Sequence, residues 1–122
     1  MSGIKYLLDT NFILGLLKAT PEVAALVAGR TILAAECGYS AITRMELLGF
    51  AGLTESEDVL IRQRLSQLTY CPVVSGIEDF AIALRRARQI KLPDAIIAAT
   101  ANYHSAELLT LDMKLDAVMR AK

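Results

Sequence analysis

The sequence contains few of the residues from which zinc and redox sites are built. Its 122 residues include one histidine, His104, and two cysteines, Cys37 and Cys71. The cysteines are far apart in apolar surroundings, and no Cys/His set with metal-ligand spacing is present. Reduced thiols are therefore the simplest interpretation of the cysteines, and a structural position is the simplest one for His104. We expect a cytoplasmic protein.

An excess of charge of either sign and long apolar runs are also missing. The 13 Lys and Arg residues balance 13 Asp and Glu residues, which argues against a dedicated basic surface for nucleic acid. An enzyme that holds RNA locally through metal ions remains compatible with this balance. No apolar run approaches the roughly 20 residues that span a bilayer, and the N-terminus has no signal-peptide pattern. We expect no association with a membrane.

Apolar residues, in contrast, are abundant. The hydrophobic fraction is 54% and the mean hydropathy is +0.42, both high for a soluble domain. By length the chain is expected to form a single domain over residues 1–122. Because a domain of this size has little interior, we expect part of the apolar surface to be covered by a partner.

Predicted strands and helices alternate along the chain. Strands are expected at residues 4–8, 38–40, 70–74 and 107–110, and Pro72 suggests an edge position for the third. Helices are expected between them, with Asn11, Thr54 and Ser75 as caps, a helix running to about Lys91, and an apolar, buried helix over residues 94–103. The alternation predicts an α/β fold, a three-layer α/β/α sandwich around a parallel sheet of four to five strands.

Four acids are placed where such a sheet collects ligands. Asp9 follows the first strand, Asp112 follows the last, and Asp94 lies in the first turn of the apolar helix. Glu46 is carried by the helix after residues 38–40. Ligands of parallel sheets bind beyond the carboxyl ends of the strands, so these carboxylates are expected at one edge. Oxygen-only ligands favour Mg²⁺ or Mn²⁺ over zinc.

Each acid also has a structural interpretation, and the residues alone do not decide between that interpretation and a functional role. Asp9 and Asp112 are in positions typical of turn or capping residues, and Asp94 would complement a helix dipole. Glu46 belongs to a capping box if its helix begins at Thr43, but faces away from the helix terminus if Ser40 is the cap.

Four segments carry these acids in order, at residues 7–11, 40–49, 92–101 and 109–112. Together they resemble the PIN-domain ribonucleases, most closely the VapC-like toxins of type II toxin–antitoxin pairs. The resemblance covers nearly the whole chain, and it implies a PIN-like fold with a helix that starts at the position of Ser40. One departure is Leu115, which stands where the family often has an aspartate. Asp112, or else Asp116, would then be the fourth acid.

The resemblance implies a metal-dependent endoribonuclease. Asp9, Glu46 and Asp94 would hold Mg²⁺ or Mn²⁺ and Asp112 would complete the pocket, so that a metal-activated water hydrolyses RNA phosphodiesters. Three polar residues would support the site: Thr10 and Asn11 by orienting Asp9, and Thr110 by contacting the site or a phosphate. Four basic residues would guide the RNA backbone unless they form only a solvated helix face, namely Arg85, Arg86, Arg88 and Lys91.

The resemblance also implies partners. VapC-like toxins form homodimers and are wrapped by a VapB-like antitoxin protein, which would account for the apolar surface. We expect the antitoxin groove near Leu47, Leu48, Phe50 and Leu53. The alternatives are a PIN nuclease of RNA maturation and a catalytically silent PIN-like module that only binds RNA or protein.

Overall fold

A computed structural model describes residues 3–120, so the first two and last two residues of the predicted domain lie outside the described part. Within that part, strands and helices alternate as predicted. The elements are β1 (Tyr6–Leu8), α1 (Thr10–Lys18), α2 (Pro21–Arg30), β2 (Cys37–Ser40), α3 (Ala41–Leu48), α4 (Glu55–Leu65), β3 (Thr69–Cys71), α5 (Ser75–Ala87), α6 (Leu92–Tyr103), β4 (Glu107–Leu109) and α7 (Met113–Arg120). A single 3-10 turn, Ala34–Glu36, precedes β2.

The four strands form one parallel sheet in the order β3-β2-β1-β4. Tyr6 of β1 pairs with Cys37 on one side and with Glu107 on the other, and Ser40 pairs with Cys71. The predicted parallel α/β/α sandwich is confirmed. The edge position of β3 is confirmed by this order. The predicted extent of the strand to residue 74 is wrong, because β3 ends at Cys71, just before Pro72.

The core lies on both faces of the sheet because side chains of a strand alternate between faces. Leu7 points to one face and packs with Ile97 and Ala98 of α6. Its neighbour Leu8 points to the other face, where it packs with Phe12 of α1. Helices therefore pack on both faces of the sheet. In α6, every residue from Ala95 to Ala101 is buried except Ile96, which is partly buried.

Local capping decides where the helices that carry acids begin. Ser40 caps α3 by accepting a hydrogen bond from the amide of Thr43 at 3.1 Å, so the helix starts as the family resemblance implied. The capping box of Thr54 is also confirmed. The predicted cap Asn11 is wrong, because α1 begins two residues earlier, at Thr10, and Asp9 caps it.

The prediction for α5 is wrong at both ends. The helix begins at Ser75 itself, after Val74, and no side chain caps it. It ends at Ala87, whereas the predicted helix continued to about Lys91. Arg88 already has an extended backbone, because the chain must turn there to enter α6.

No single helix within residues 3–120 is long and apolar enough to cross a membrane. Helices α1 and α2, taken together, are long and apolar enough by length and composition, but they are bent by 99° relative to each other.

Candidate active site

The predicted acids share one cavity. It has a volume of about 910 Å³, and its wall includes all four of them, Asp9, Glu46, Asp94 and Asp112. They come from the ends of β1 and β4 and from helices α3 and α6. Thr10 and Asn11 also line this cavity. Asp116 does not, and forms an ion pair with Arg120 at 2.9 Å instead.

Asp9 is the most buried of these acids, with 4% of its surface exposed. One carboxylate oxygen accepts a hydrogen bond from the amide of Phe12 at 2.9 Å, and the other accepts one from the hydroxyl of Thr110. Burial raises the pKa of Asp9, and the hydrogen bonds only partly offset this effect. The charges of Asp112 and Asp94 raise the pKa further.

The hydroxyl that orients Asp9 is therefore that of Thr110, 101 positions away in the sequence. The prediction that Thr10 has this role is wrong, because the Thr10 hydroxyl bonds to Glu46 at 2.5 Å. Asn11 lies exposed in the cavity wall and makes no hydrogen bond to Asp9 within residues 3–120.

Asp112 both lines the cavity and caps a helix. One of its oxygens accepts hydrogen bonds from the amides of Lys114 and Leu115, at 2.9 and 3.2 Å, and so caps α7. The amide of Asp112 donates to the hydroxyl of Thr110 at 2.9 Å. Through these two hydrogen bonds, the Thr110 hydroxyl links the carboxylate of Asp9 to the backbone of Asp112.

Asp94 and Glu46 reach the cavity from helices. Asp94 lies in the first turn of α6 and is half-buried. Burial raises its pKa, the charges of Asp112 and Glu46 raise it further, and Lys91 opposes them. Glu46, in the second turn of α3, is exposed to the cavity. The charges of these acids therefore act on one another across the opening.

The donor set fits a hard divalent cation in its chemistry. Every candidate ligand is a carboxylate oxygen, and repulsion among close carboxylates is relieved when a cation lies between them. Within residues 3–120, however, no three acidic, histidine or cysteine side chains are gathered closely enough to form a ready metal centre. The four acids share a cavity without converging on one point of it.

The predicted RNA-binding residues lie outside this cavity. Arg85 and Arg86 are in the last turn of α5 and Arg88 follows it, all exposed. Lys91 is close enough to Asp94 to act on its pKa.

The cavity wall contains two other basic residues, Lys18 and Arg64, which we did not predict. Both stand in the last turn of a helix, α1 and α4 respectively. Basic residues are common in the last turn of a helix. The sequence therefore carries no signal that distinguishes Lys18 and Arg64 from the other basic residues of the chain.

Away from the acids, the cavity continues as an apolar groove between α1, α3 and α4. The predicted residues Leu47, Phe50 and Leu53 line it, but Leu48 packs against the core. Phe50 has 69% of its surface exposed. Other apolar lining residues of the cavity were not predicted: Leu14, Leu17, Leu60, Ile61, Ile97 and Leu115.

The carboxylates lie beyond the strand ends of a parallel sheet, which is where such sheets bind ligands. The chain matches the PIN domain family over residues 6–120 and belongs to that family. PIN domains are generally nucleases, which supports the predicted nuclease class. No curated protein matches this chain.

Solved structures agree with this assignment. A toxin–antitoxin complex from Klebsiella pneumoniae is similar with 30% identity and a TM-score of 0.77, over 90% of this chain and 88% of that chain. FitAcB from Neisseria gonorrhoeae is similar with 25% identity and a TM-score of 0.70, over 94% of this chain and 93% of that chain. VapBC-1 from nontypeable Haemophilus influenzae, at 24% identity and a TM-score of 0.73 over 97% and 94%, shows the same fold. The predicted resemblance to VapC-like PIN toxins is confirmed.

Proposed function

We propose that this protein is a Mg²⁺- or Mn²⁺-dependent endoribonuclease and the toxin of a type II toxin–antitoxin pair. The observation that carries the proposal is the arrival of four carboxylates, from four separate elements, at the wall of one cavity. A fold alone does not imply an activity, whereas an acidic cavity of this composition is suited to phosphodiester chemistry.

In this proposal Asp9, Glu46 and Asp94 hold the cation, and Asp112 completes the pocket. When bound, the cation would supply positive charge next to the phosphate and make water more acidic. The chain's own part is to keep the carboxylates in place. Thr110 orients Asp9, and the backbone amides at the start of α7 orient Asp112.

We place the RNA strand along the cavity, past the side chains of Lys18 and Arg64 in its wall. Lys18 makes no ion pair with any residue of the described range, and the same holds for Arg64, so both are available for phosphates. Lys91 lies close to Asp94 and would bind a phosphate near the acids. The exposed arginines of α5 remain a prediction for a more distant part of the RNA.

The proposal is tested with the purified protein, a structured RNA and a DNA of the same sequence. We expect RNA cleavage with Mg²⁺ or Mn²⁺, none with a chelator, and products that carry a 5′-phosphate. Recovery of cleavage on adding Mn²⁺ back to the chelated sample excludes damage by the chelator. Cleavage that is unchanged by the chelator, or DNA cleaved as fast as RNA, would contradict the proposal.

The antitoxin surface in this proposal is the apolar groove between α1, α3 and α4. The complex from Klebsiella pneumoniae is described as a toxin–antitoxin complex, which supports a partner of that kind. The exposed ring of Phe50 lies in a groove that runs directly into the acids, so a segment bound there also covers the cavity. The excess of apolar residues is consistent with such a covered surface.

We expect Phe50→Ala to weaken binding of a small co-encoded antitoxin by about 30-fold, because a truncated aromatic anchor removes roughly 2 kcal/mol of binding energy. Calorimetric titration measures the affinity. Ile82→Ala, another exposed apolar residue but outside the cavity, is the matched control and should bind normally. Equal affinities of the two variants would move the antitoxin surface elsewhere.

Two further parts of the proposal concern assembly and location. We propose a homodimer, as in VapC-like toxins, and light scattering of the purified protein measures its mass. We also propose the cytoplasm as its location, since the substrate is RNA and Cys37 and Cys71 are free and buried.

A further inference from the structure

Three hydroxyl side chains form a line that ends on Glu46. The Ser40 hydroxyl, at the end of β2, lies 3.4 Å from that of Thr43. The Thr43 hydroxyl lies 3.1 Å from that of Thr10, and Thr10 lies 2.5 Å from a carboxylate oxygen of Glu46. Ser40 and Thr43 are both fully buried, with 0% of their surfaces exposed. A buried polar line that runs outward to an acid of the cavity needs an explanation.

The Thr10 hydroxyl is the donor in both of its hydrogen bonds, to Glu46 at 2.5 Å and to Thr43 at 3.1 Å. A threonine hydroxyl has a single proton, which the shorter bond directs mainly to Glu46. The Thr43 oxygen accepts from Thr10 and also from Ser40, whose own oxygen accepts from the Thr43 amide. The buried oxygen of Thr43 therefore keeps the Thr10 hydroxyl beside Glu46.

We propose that Thr43 is a positioning residue that holds Glu46 in the cavity through Thr10. Without Thr43, the Thr10 hydroxyl is free to rotate away, and Glu46 has no other hydrogen-bond partner within residues 3–120. Glutamate has three rotatable side-chain bonds, so an unheld Glu46 spreads over several rotamers of the cavity wall. The inference deepens the proposed function, on which the role of Glu46 as a metal ligand rests.

Two substitutions of Thr43 separate the hydroxyl from the shape of the side chain. Thr43→Val keeps the shape and removes the hydroxyl, whereas Thr43→Ser keeps the hydroxyl. Thr100→Val is the control, because Thr100 is an equally buried helical threonine whose hydroxyl donates only to the carbonyl of Ile96, at 2.7 Å. Any general effect of losing a buried hydroxyl appears in the control as well.

The first measurement is the conformation of the Glu46 side chain by NMR couplings and relaxation, which requires neither metal nor activity. We expect one rotamer in the wild type, Thr43→Ser and Thr100→Val, and several rotamers in Thr43→Val. The second measurement is Mn²⁺ binding by electron paramagnetic resonance. Thr43→Val should bind about tenfold more weakly than the other three proteins, as for loss of an outer partner of a ligand.

A double substitution shows whether Thr43 acts through Glu46. In a Glu46→Gln background, Thr43→Val should weaken Mn²⁺ binding no further, whereas a merely structural effect would persist there. A single Glu46 rotamer in Thr43→Val would overturn the positioning role whatever the metal does. A wild type that orders Glu46 but neither binds Mn²⁺ nor cleaves RNA would instead overturn the proposed function and leave the positioning role supported.

Discussion

Replacement of Asp94 by asparagine is expected to abolish RNA cleavage while making the protein more stable at neutral pH. The substitution keeps the shape of the side chain and removes its charge. In the proposed mechanism Asp94 holds the cation, and we expect the rate to fall by about 10²–10³-fold or more, the effect of losing one electrostatic contact to the reacting groups. Asp79→Asn, a change of an exposed acid outside the cavity, should leave the rate unchanged.

The expected gain in stability follows from the sign of the pKa shift. Burial, with the charges of Asp112 and Glu46, raises the pKa of Asp94 in the folded protein above its value in the unfolded chain. Such a group stabilises the fold while it is protonated, and this contribution is lost as the pH rises through the folded-state pKa. Asp94 is therefore a destabilising charge at pH 7, and asparagine removes it.

Thermal unfolding of the two proteins across a range of pH measures this effect. The unfolding midpoint of Asp94→Asn should lie above that of the wild type at pH 7, and the difference should vanish at a pH below the usual aspartate pKa of about 3.9. Asp79→Asn is the matched control, since Asp79 is exposed on α5 and does not line the cavity. A lower midpoint for Asp94→Asn at pH 7 would show that its charge is compensated in the fold.

The largest expected loss of stability is that of Phe12→Ala. Phe12 is the largest of the fully buried side chains, with 1% of its surface exposed, and it packs with Leu8, Ile13 and Val23. Truncating a buried phenylalanine destabilises a domain by about 3–5 kcal/mol, because the space left is only partly refilled. The total stability of a domain is about 5–15 kcal/mol, so most of it would be lost.

Denaturant unfolding measures this prediction. The midpoint for Phe12→Ala should fall strongly while the slope of the transition stays that of the wild type. The same substitution at Phe50, whose ring is exposed, should change the free energy of unfolding by no more than about 0.5 kcal/mol. A loss below about 1 kcal/mol for Phe12→Ala would mean that the core around α1 refills the space.

The sequence predicted the parts of this fold that depend on local patterns. Neighbouring residues alone indicated the strand before Asp9, the apolar helix predicted over residues 94–103 and the helix that Thr54 caps. The position of Asp9 and Asp112 at one edge followed from a general property of parallel sheets, whereas that of Glu46 followed only once the family resemblance fixed the start of its helix. A single capping hydrogen bond, that of Ser40, decided the direction in which Glu46 points.

What the sequence did not predict are the partners of polar side chains across the fold. Thr10 is adjacent to Asp9 in the chain, yet its hydroxyl bonds to Glu46, 36 positions away. Thr110 orients Asp9 across 101 positions. Lys18 and Arg64 line the cavity only because α1 and α4 pack beside it. Such choices depend on which elements become neighbours, and no local pattern in a single sequence contains that information.

The pairing of β1 with β4 has a consequence for synthesis of the protein on the ribosome. Asp9 emerges early, but its hydrogen-bond donor Thr110 and the acid Asp112 are translated about a hundred residues later. The cavity with its four carboxylates can therefore close only after β4 has left the exit tunnel and inserted beside β1. Until then the growing chain carries Asp9 without Thr110 and Asp112, and the cavity is incomplete.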